Sequence, residues 1–128
     1  MEVIKIAGTD DTPSVILDVE NDIFEISGRS LPEDVTAFYE PILEWLDEYA
    51  EKGPNKKTVF NFKLVYFNTA SSKLILDILL KLEEMYEDGK DVVIRWHYPE
   101  DDEDMEEAGE EYADIVEVPF EQVSYSLD

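Results

Sequence analysis

Hydrophobic spacing divides the chain into segments of two kinds. In residues 59–67 the side chains of Phe60, Phe62, Leu64 and Tyr66 alternate with Val59, Asn61, Lys63 and Val65. A period of two, rich in β-branched and aromatic residues, predicts a buried strand. Past Asn68-Thr69 the period lengthens, and Leu74, Ile75, Ile78, Leu79, Leu82 and Tyr86 fall on one face of a helix. That helix stops at Glu87-Asp88-Gly89-Lys90, and Asp91–Tyr98 (DVVIRWHY) reads as the next major strand. Strand, helix and strand at this spacing imply a parallel pair with a right-handed crossover.

Upstream, Glu2–Ile6 is a short edge strand, and Ser14–Val19 and Ile23–Ser27 form a hairpin about Glu20-Asn21-Asp22. Ser30 with Glu33 has capping-box spacing, with Pro32 in the first turn. The helix that follows runs to about Lys52 and ends at Gly53-Pro54, with Val35, Phe38, Tyr39, Ile42, Leu43, Leu46 and Tyr49 on one face and Trp45 at its edge. Pro41 removes a backbone donor inside it and predicts a kink. Asp104–Tyr112 has a weak helical pattern, and Ile115–Phe120 is a candidate last strand. The expectation is one α/β domain spanning residues 1–128, with a mixed sheet and helices mainly on one face.

Composition narrows the partners. The 128 residues carry 33 acidic and 10 basic side chains, a formal net charge of −23. Nucleic acid and anionic membrane are poor partners for such a surface, because both require clustered Lys and Arg. With 44% hydrophobic residues the chain has material for a core, so its charge does not imply disorder. No cysteine is present, which removes disulfides, thiolate metal sites and cysteine nucleophiles. The absence of a long apolar run or a signal-type start makes the cytoplasm the expected location.

Catalytic chemistry finds little support. Asp101, Asp102, Glu103, Asp104, Glu106 and Glu107 suit a hard cation in type, yet lack EF-hand spacing. The eleven carboxylates between Glu100 and Glu117, with no base among them, read as a solvated face or loop. His97 is the single histidine; no nucleophile or orienting carboxylate stands beside it, so a structural or interface role is the simpler reading. Phosphate-cradling glycine loops are missing, and no cofactor or metal is expected. One cluster remains. Asn68, Thr69, Ser71 and Ser72 gather amide and hydroxyl groups where strand turns into helix, with Lys73 just inside. Thr69 is then either a plain helix cap or a hydroxyl open to phosphorylation, and capping physics alone favours the cap.

A wider pattern joins these pieces. Gly8-Thr9 with Thr12-Pro13, Gly28 with Ser30 and Pro32-Glu33, Leu64 through Ser71, Met85 after Glu83-Glu84, and Arg95-Trp96-His97-Tyr98 occur in one order along the chain. In these features it resembles the SiaC family of bacterial biofilm regulators, whose fold is of the STAS-like, anti-sigma-factor-antagonist type. The resemblance implies that Thr69 is a phospho-acceptor and that Ala70 stands where a second hydroxyl is expected. It also implies a non-enzymatic partner switch: a serine/threonine kinase with a histidine-kinase-like ATPase fold adds the phosphate and a PP2C-type phosphatase removes it. The unphosphorylated form would then bind and activate a diguanylate cyclase through Asn68, Thr69, Ala70, Ser71, Ser72 and Lys73. An alternative within the same fold is an anti-sigma-factor antagonist acting on a sigma-factor regulatory kinase.

Overall fold

The period-two and period-3.6 segments become six strands and three helices in a computed structural model that describes residues 1–126. The strands are β1 (Ile4–Ile6), β2 (Ser14–Asp18), β3 (Ile23–Ser30), β4 (Lys57–Phe67), β5 (Asp91–Pro99) and β6 (Phe120–Tyr125). The helices are α1 (Val35–Lys52), α2 (Thr69–Glu87) and α3 (Glu103–Ile115). Strand order in the sheet follows chain order; β1, β2 and β3 pair antiparallel, and β3 through β6 pair parallel. Each parallel step carries one helix, so right-handed crossovers place all three helices on one face. Burial agrees. Val15, Leu17, Phe24, Ile26, Phe60 and Phe62 join Tyr39, Ile42 and Leu46 of α1 and Ile75, Ile78 and Leu79 of α2 in one core.

The other face of the sheet is polar. Glu25, Asn61, Arg95 and Glu121 lie abreast in register. Lys63 pairs with Glu25 at 2.9 Å and Arg95 with Glu121 at 3.1 Å. His97 belongs to this face. Its Nε2 lies 2.9 Å from Asn61 Oδ1, and burial, then Lys63 and Arg95, lower its pKa and favour the neutral ring.

Several local expectations change. The cap of α1 is Asp34, whose carboxylate accepts from the Ala37 N–H at 3.0 Å. Ser30 is instead the buried last residue of β3, because its hydroxyl has partners in the interior. The helix continues through Pro41, which is exposed, and Trp45 is buried rather than marginal. Trp45 Nε1 donates to the Glu2 carbonyl at 2.8 Å, holding the N-terminal segment against α1.

Alternation in β4 fails at Tyr66, which is 45% exposed. The β3–β4 register shifts between Gly28 and Arg29, pairing Arg29 with Tyr66, and the ring of Phe67 rather than Tyr66 meets Trp96 and Tyr112. At the end of α2, Met85 is buried and Tyr86 exposed. That helix closes in a Schellman arrangement: Gly89 has φ 97°, and Lys90 and Gly89 donate to the carbonyls of Met85 and Tyr86.

The acidic stretch is ordered as α3. Asp102 caps it by accepting from the Met105 N–H at 3.0 Å, and Glu103, Asp104 and Glu106 sit in its first turn, where the helix dipole favours them. Met105, Gly109 and Tyr112 bury one stripe. Gly109 is required by packing, since a Cβ there would lie 2.5 Å from Cδ1 of Trp96. The expected strand Ile115–Phe120 is not formed: Ile115 ends α3, and Val116 and Val118 are buried in the link to β6. Two alternating apolar residues imitate a strand, but the ladder to β5 begins only where Ile94 N–H donates to the Pro119 carbonyl at 2.9 Å.

Candidate functional site

At the carboxyl end of β4 the chain turns without a spacer into α2. Asn68 is the cap: its side-chain oxygen accepts from the Ser71 N–H at 2.9 Å, and Ser72 N–H donates to its carbonyl as the first helical bond. The amide reaches the third N–H and leaves the next residue no capping task, so the plain-cap reading of Thr69 is overturned. Thr69 is the first residue of the helix and exposed, and its hydroxyl bonds to no other described residue. The N–H groups of Thr69 and Ala70 have no intrahelical acceptor, as at any helix start.

What lies beneath this turn is rigidly satisfied. Ser71 is fully buried; its Oγ donates to the Ser30 carbonyl at 2.9 Å and accepts from Ser30 Oγ at 2.9 Å. With the Ser30 proton so committed, Tyr39 OH donates to Ser30 Oγ across 2.6 Å. Burial pushes the Tyr39 phenol up to about 12, so it remains a donor. Asn68 N–H donates to the same Ser30 carbonyl at 3.1 Å. From the side, Tyr112 OH of α3 donates to the Ser72 carbonyl at 2.8 Å, and burial raises its pKa as well. Ser72 turns its own hydroxyl back to the Thr69 carbonyl at 2.7 Å.

The six candidate residues thus separate into two groups. Thr69, Ala70 and Lys73 are exposed. Asn68, Ser71 and Ser72 serve the backbone and the interior. Ser71→Ala should lower unfolding stability by about 1–3 kcal/mol, because the Ser30 hydroxyl would be left buried without its acceptor. Urea unfolding measures this; a loss below about 0.5 kcal/mol would show the network to be dispensable.

The partners Ser30, Tyr39, Tyr112 and Gly109 were not legible as parts of this corner. Ser30 and Ser71 are 41 positions apart, and only the strand pairing of Ser30 with Phe67 brings them together. Electrostatically the corner is bipolar. The first turn of α2 holds no acidic residue and Lys73 follows it, whereas the first turn of α3 holds three carboxylates. Among the described residues no group of three or more His, Asp or Glu side chains is placed to hold a metal ion, and no described helix is long and apolar enough to cross a membrane.

Comparisons with known proteins converge on one family. A sequence model described as SiaC family regulatory phosphoprotein matches residues 6–125. An uncharacterized protein of Pseudomonas aeruginosa (strain UCBPP-PA14) is 31% identical over 120 residues, covering 94% of either chain. The crystal structure of apo-SiaC from Pseudomonas aeruginosa superposes with a TM-score of 0.88 at 30% identity, over 97% of this chain and 100% of that one. A chain in the crystal structure of the diguanylate cyclase SiaD in complex with its activator SiaC, also from Pseudomonas aeruginosa, gives 0.89 at 30% identity, over 95% and 99% of the two chains.

Proposed function

Because this chain belongs to the SiaC family of regulatory phosphoproteins, we propose that it is a non-enzymatic partner switch that activates a diguanylate cyclase until Thr69 is phosphorylated. The observation that carries the reading is the likeness, over 95% of the chain, to a structure in which SiaC is the activator bound to its cyclase. The geometry around Thr69 supports this reading. Thr69 is exposed, released from capping by Asn68, and set on a turn held rigid by Ser30, Tyr39 and Tyr112. A kinase can reach such a hydroxyl without unfolding the helix, and a phosphatase can reach the product.

The kinase in this reading has a histidine-kinase-like ATPase fold, and the phosphatase is of the metal-dependent PP2C type. Asn68, Ser71 and Ser72 position the acceptor, while Thr69, Ala70 and Lys73 face the partner. The whole cycle belongs in the cytoplasm, where ATP and GTP are available.

The test is direct. Each diguanylate cyclase of the source genome is incubated with GTP, with and without the purified chain, and cyclic di-GMP is measured. One cyclase should be stimulated, and pre-treatment of the chain with its kinase and ATP should remove the stimulation. Failure of every cyclase to respond would overturn the reading.

A further inference from the structure

Helix α3 carries five glutamates and two aspartates in 13 residues and no Lys or Arg. Such a helix repels itself, because like charges one turn apart are destabilising. Trp96, Tyr98 and Gln122 dock it on the sheet. Two further hydrogen bonds tie the helix and its exit to α2: Tyr112 OH donates to the Ser72 carbonyl at 2.8 Å, and Glu117 N–H donates to Glu83 Oε2 at 2.7 Å. The first of these ends in the turn that carries Thr69, since Ser72 Oγ donates to the Thr69 carbonyl.

A shallow depression of about 230 Å³ opens along this seam. Glu111, Tyr112 and Ile115 of α3 line one side, and Ser72, Lys73 and Leu76 of α2 line the other. Lys73 is the only basic residue in that lining. Asp77, one turn further along α2, lines a different depression with Leu43 of α1. Lys73 therefore stands between two anionic claims. Across the seam are Glu111 and the rest of α3. Four residues back on its own helix is Thr69, at the spacing where opposite charges pair on a helix surface. Arg29, beside Tyr66 in the sheet, is already engaged: its guanidinium lies over the Tyr66 ring at 5.4 Å, and Nε donates to the Asp10 carbonyl at 3.2 Å.

We propose that a phosphate on Thr69 captures Lys73 from the seam and thereby loosens α3, so that the docking of α3 reports the phosphorylation state within the chain itself. The inference rests on the reading of Thr69 as the phospho-acceptor and adds a conformational consequence to it. With Lys73 drawn toward the phosphate, Glu111 and its neighbours lose the opposite charge at the seam. Trp96 still holds the helix, so the outcome is more frequent local opening and not global unfolding.

The test is hydrogen–deuterium exchange on the isolated chain, with phosphothreonine genetically encoded at position 69 so that neither kinase nor cyclase enters. Amides of Glu103–Ile115 should exchange about threefold faster or more with the phosphate than without it, while those of β4 should stay within roughly 1.5-fold. Raising sodium chloride to about 0.5 M should shrink the difference, because salt screens exposed charges. Lys73→Gln without phosphate should already speed exchange across α3, and the phosphate should then add less. An α3 that exchanges at the same rate with and without the phosphate overturns the inference, and so does a full phosphate effect that survives Lys73→Gln. Either result leaves the proposed cyclase activation standing, and a chain that stimulates no cyclase leaves the exchange result standing, so the two fail separately.

Discussion

Phosphorylation of Thr69 is expected to weaken the complex with the cyclase by about a hundredfold or more, equivalent to roughly 3 kcal/mol. The added charge, roughly −1.5 to −2, is small beside a net charge of −23, so the effect must be local. It is local because the hydroxyl stands on the first turn of α2, which holds no carboxylate. In the free protein the phosphate is comfortable there, solvated and next to two unbonded N–H groups. Docking removes that water, so the bound state alone carries the desolvation cost and the repulsion. Thr69→Asp should act in the same direction with a smaller effect, having one charge and a shorter reach. Thr69→Ala should bind the cyclase and take up no phosphate from kinase and ATP, as read by intact-protein mass spectrometry. Ser72→Ala should still be phosphorylated, and Ser71 cannot substitute as acceptor because it is fully buried. Phosphate uptake that persists in Thr69→Ala would remove the assignment. A phosphorylated chain that binds the cyclase as wild type does would remove the gating.

Trp96→Ala should cost about 3–5 kcal/mol of unfolding free energy, the range for deleting a large buried aromatic. Trp96 is 1% exposed and its ring meets those of Phe62, Phe67, Tyr112 and Phe120. Its Nε1 donates to the Met105 carbonyl at 2.9 Å, and Gly109 lies directly against the ring. Trp96 is therefore the apolar anchor of α3 on the sheet, beside the polar contacts of Tyr98 OH with Glu106 Oε2 and of Gln122 Nε2 with the Glu106 carbonyl, both at 3.0 Å. Its removal should also raise amide exchange across Glu103–Ile115 before the core strands respond, because α3 otherwise carries many mutually repelling carboxylates. Trp96→Phe keeps most of the apolar area and loses the hydrogen bond, so a smaller loss is expected. A cost below about 1 kcal/mol for Trp96→Ala would show that α3 is anchored elsewhere.

Much of the architecture was visible in the spacing of residues. Phe60, Phe62 and Leu64 marked β4, and Ile75, Ile78, Leu79 and Leu82 marked the buried face of α2, because burial on one side leaves a period that one chain displays by itself. The parallel pairing of β4 with β5 followed from the helix between them. Element ends were less legible. Ser30 and Glu33 match a capping box, yet Asp34 caps α1, since the pairing of β3 with β4 carries Ser30 into the sheet. Val116 and Val118 alternate as strand residues do, but they lie in the link between α3 and β6 and belong to no strand.

The candidate site divides along the same line. Local chemistry located a cluster of polar residues at a strand-to-helix corner, and resemblance to a family directed attention to Thr69 within it. Local chemistry by itself could not say which side chain caps the helix, because Asn68 and Thr69 are both competent. Tertiary structure decided that Asn68 caps, that Ser71 is locked into a buried relay with Ser30 and Tyr39, and that Thr69 is left open. It also turned an acidic run that reads as solvated into α3, whose apolar stripe packs on Trp96 and whose Tyr112 hydroxyl bonds the Ser72 carbonyl in the turn that carries Thr69. The reason is the range of the interactions. Periodicity and capping act over a few residues and are written in the chain, whereas the partners of this corner lie up to 41 positions away and meet only when the sheet closes.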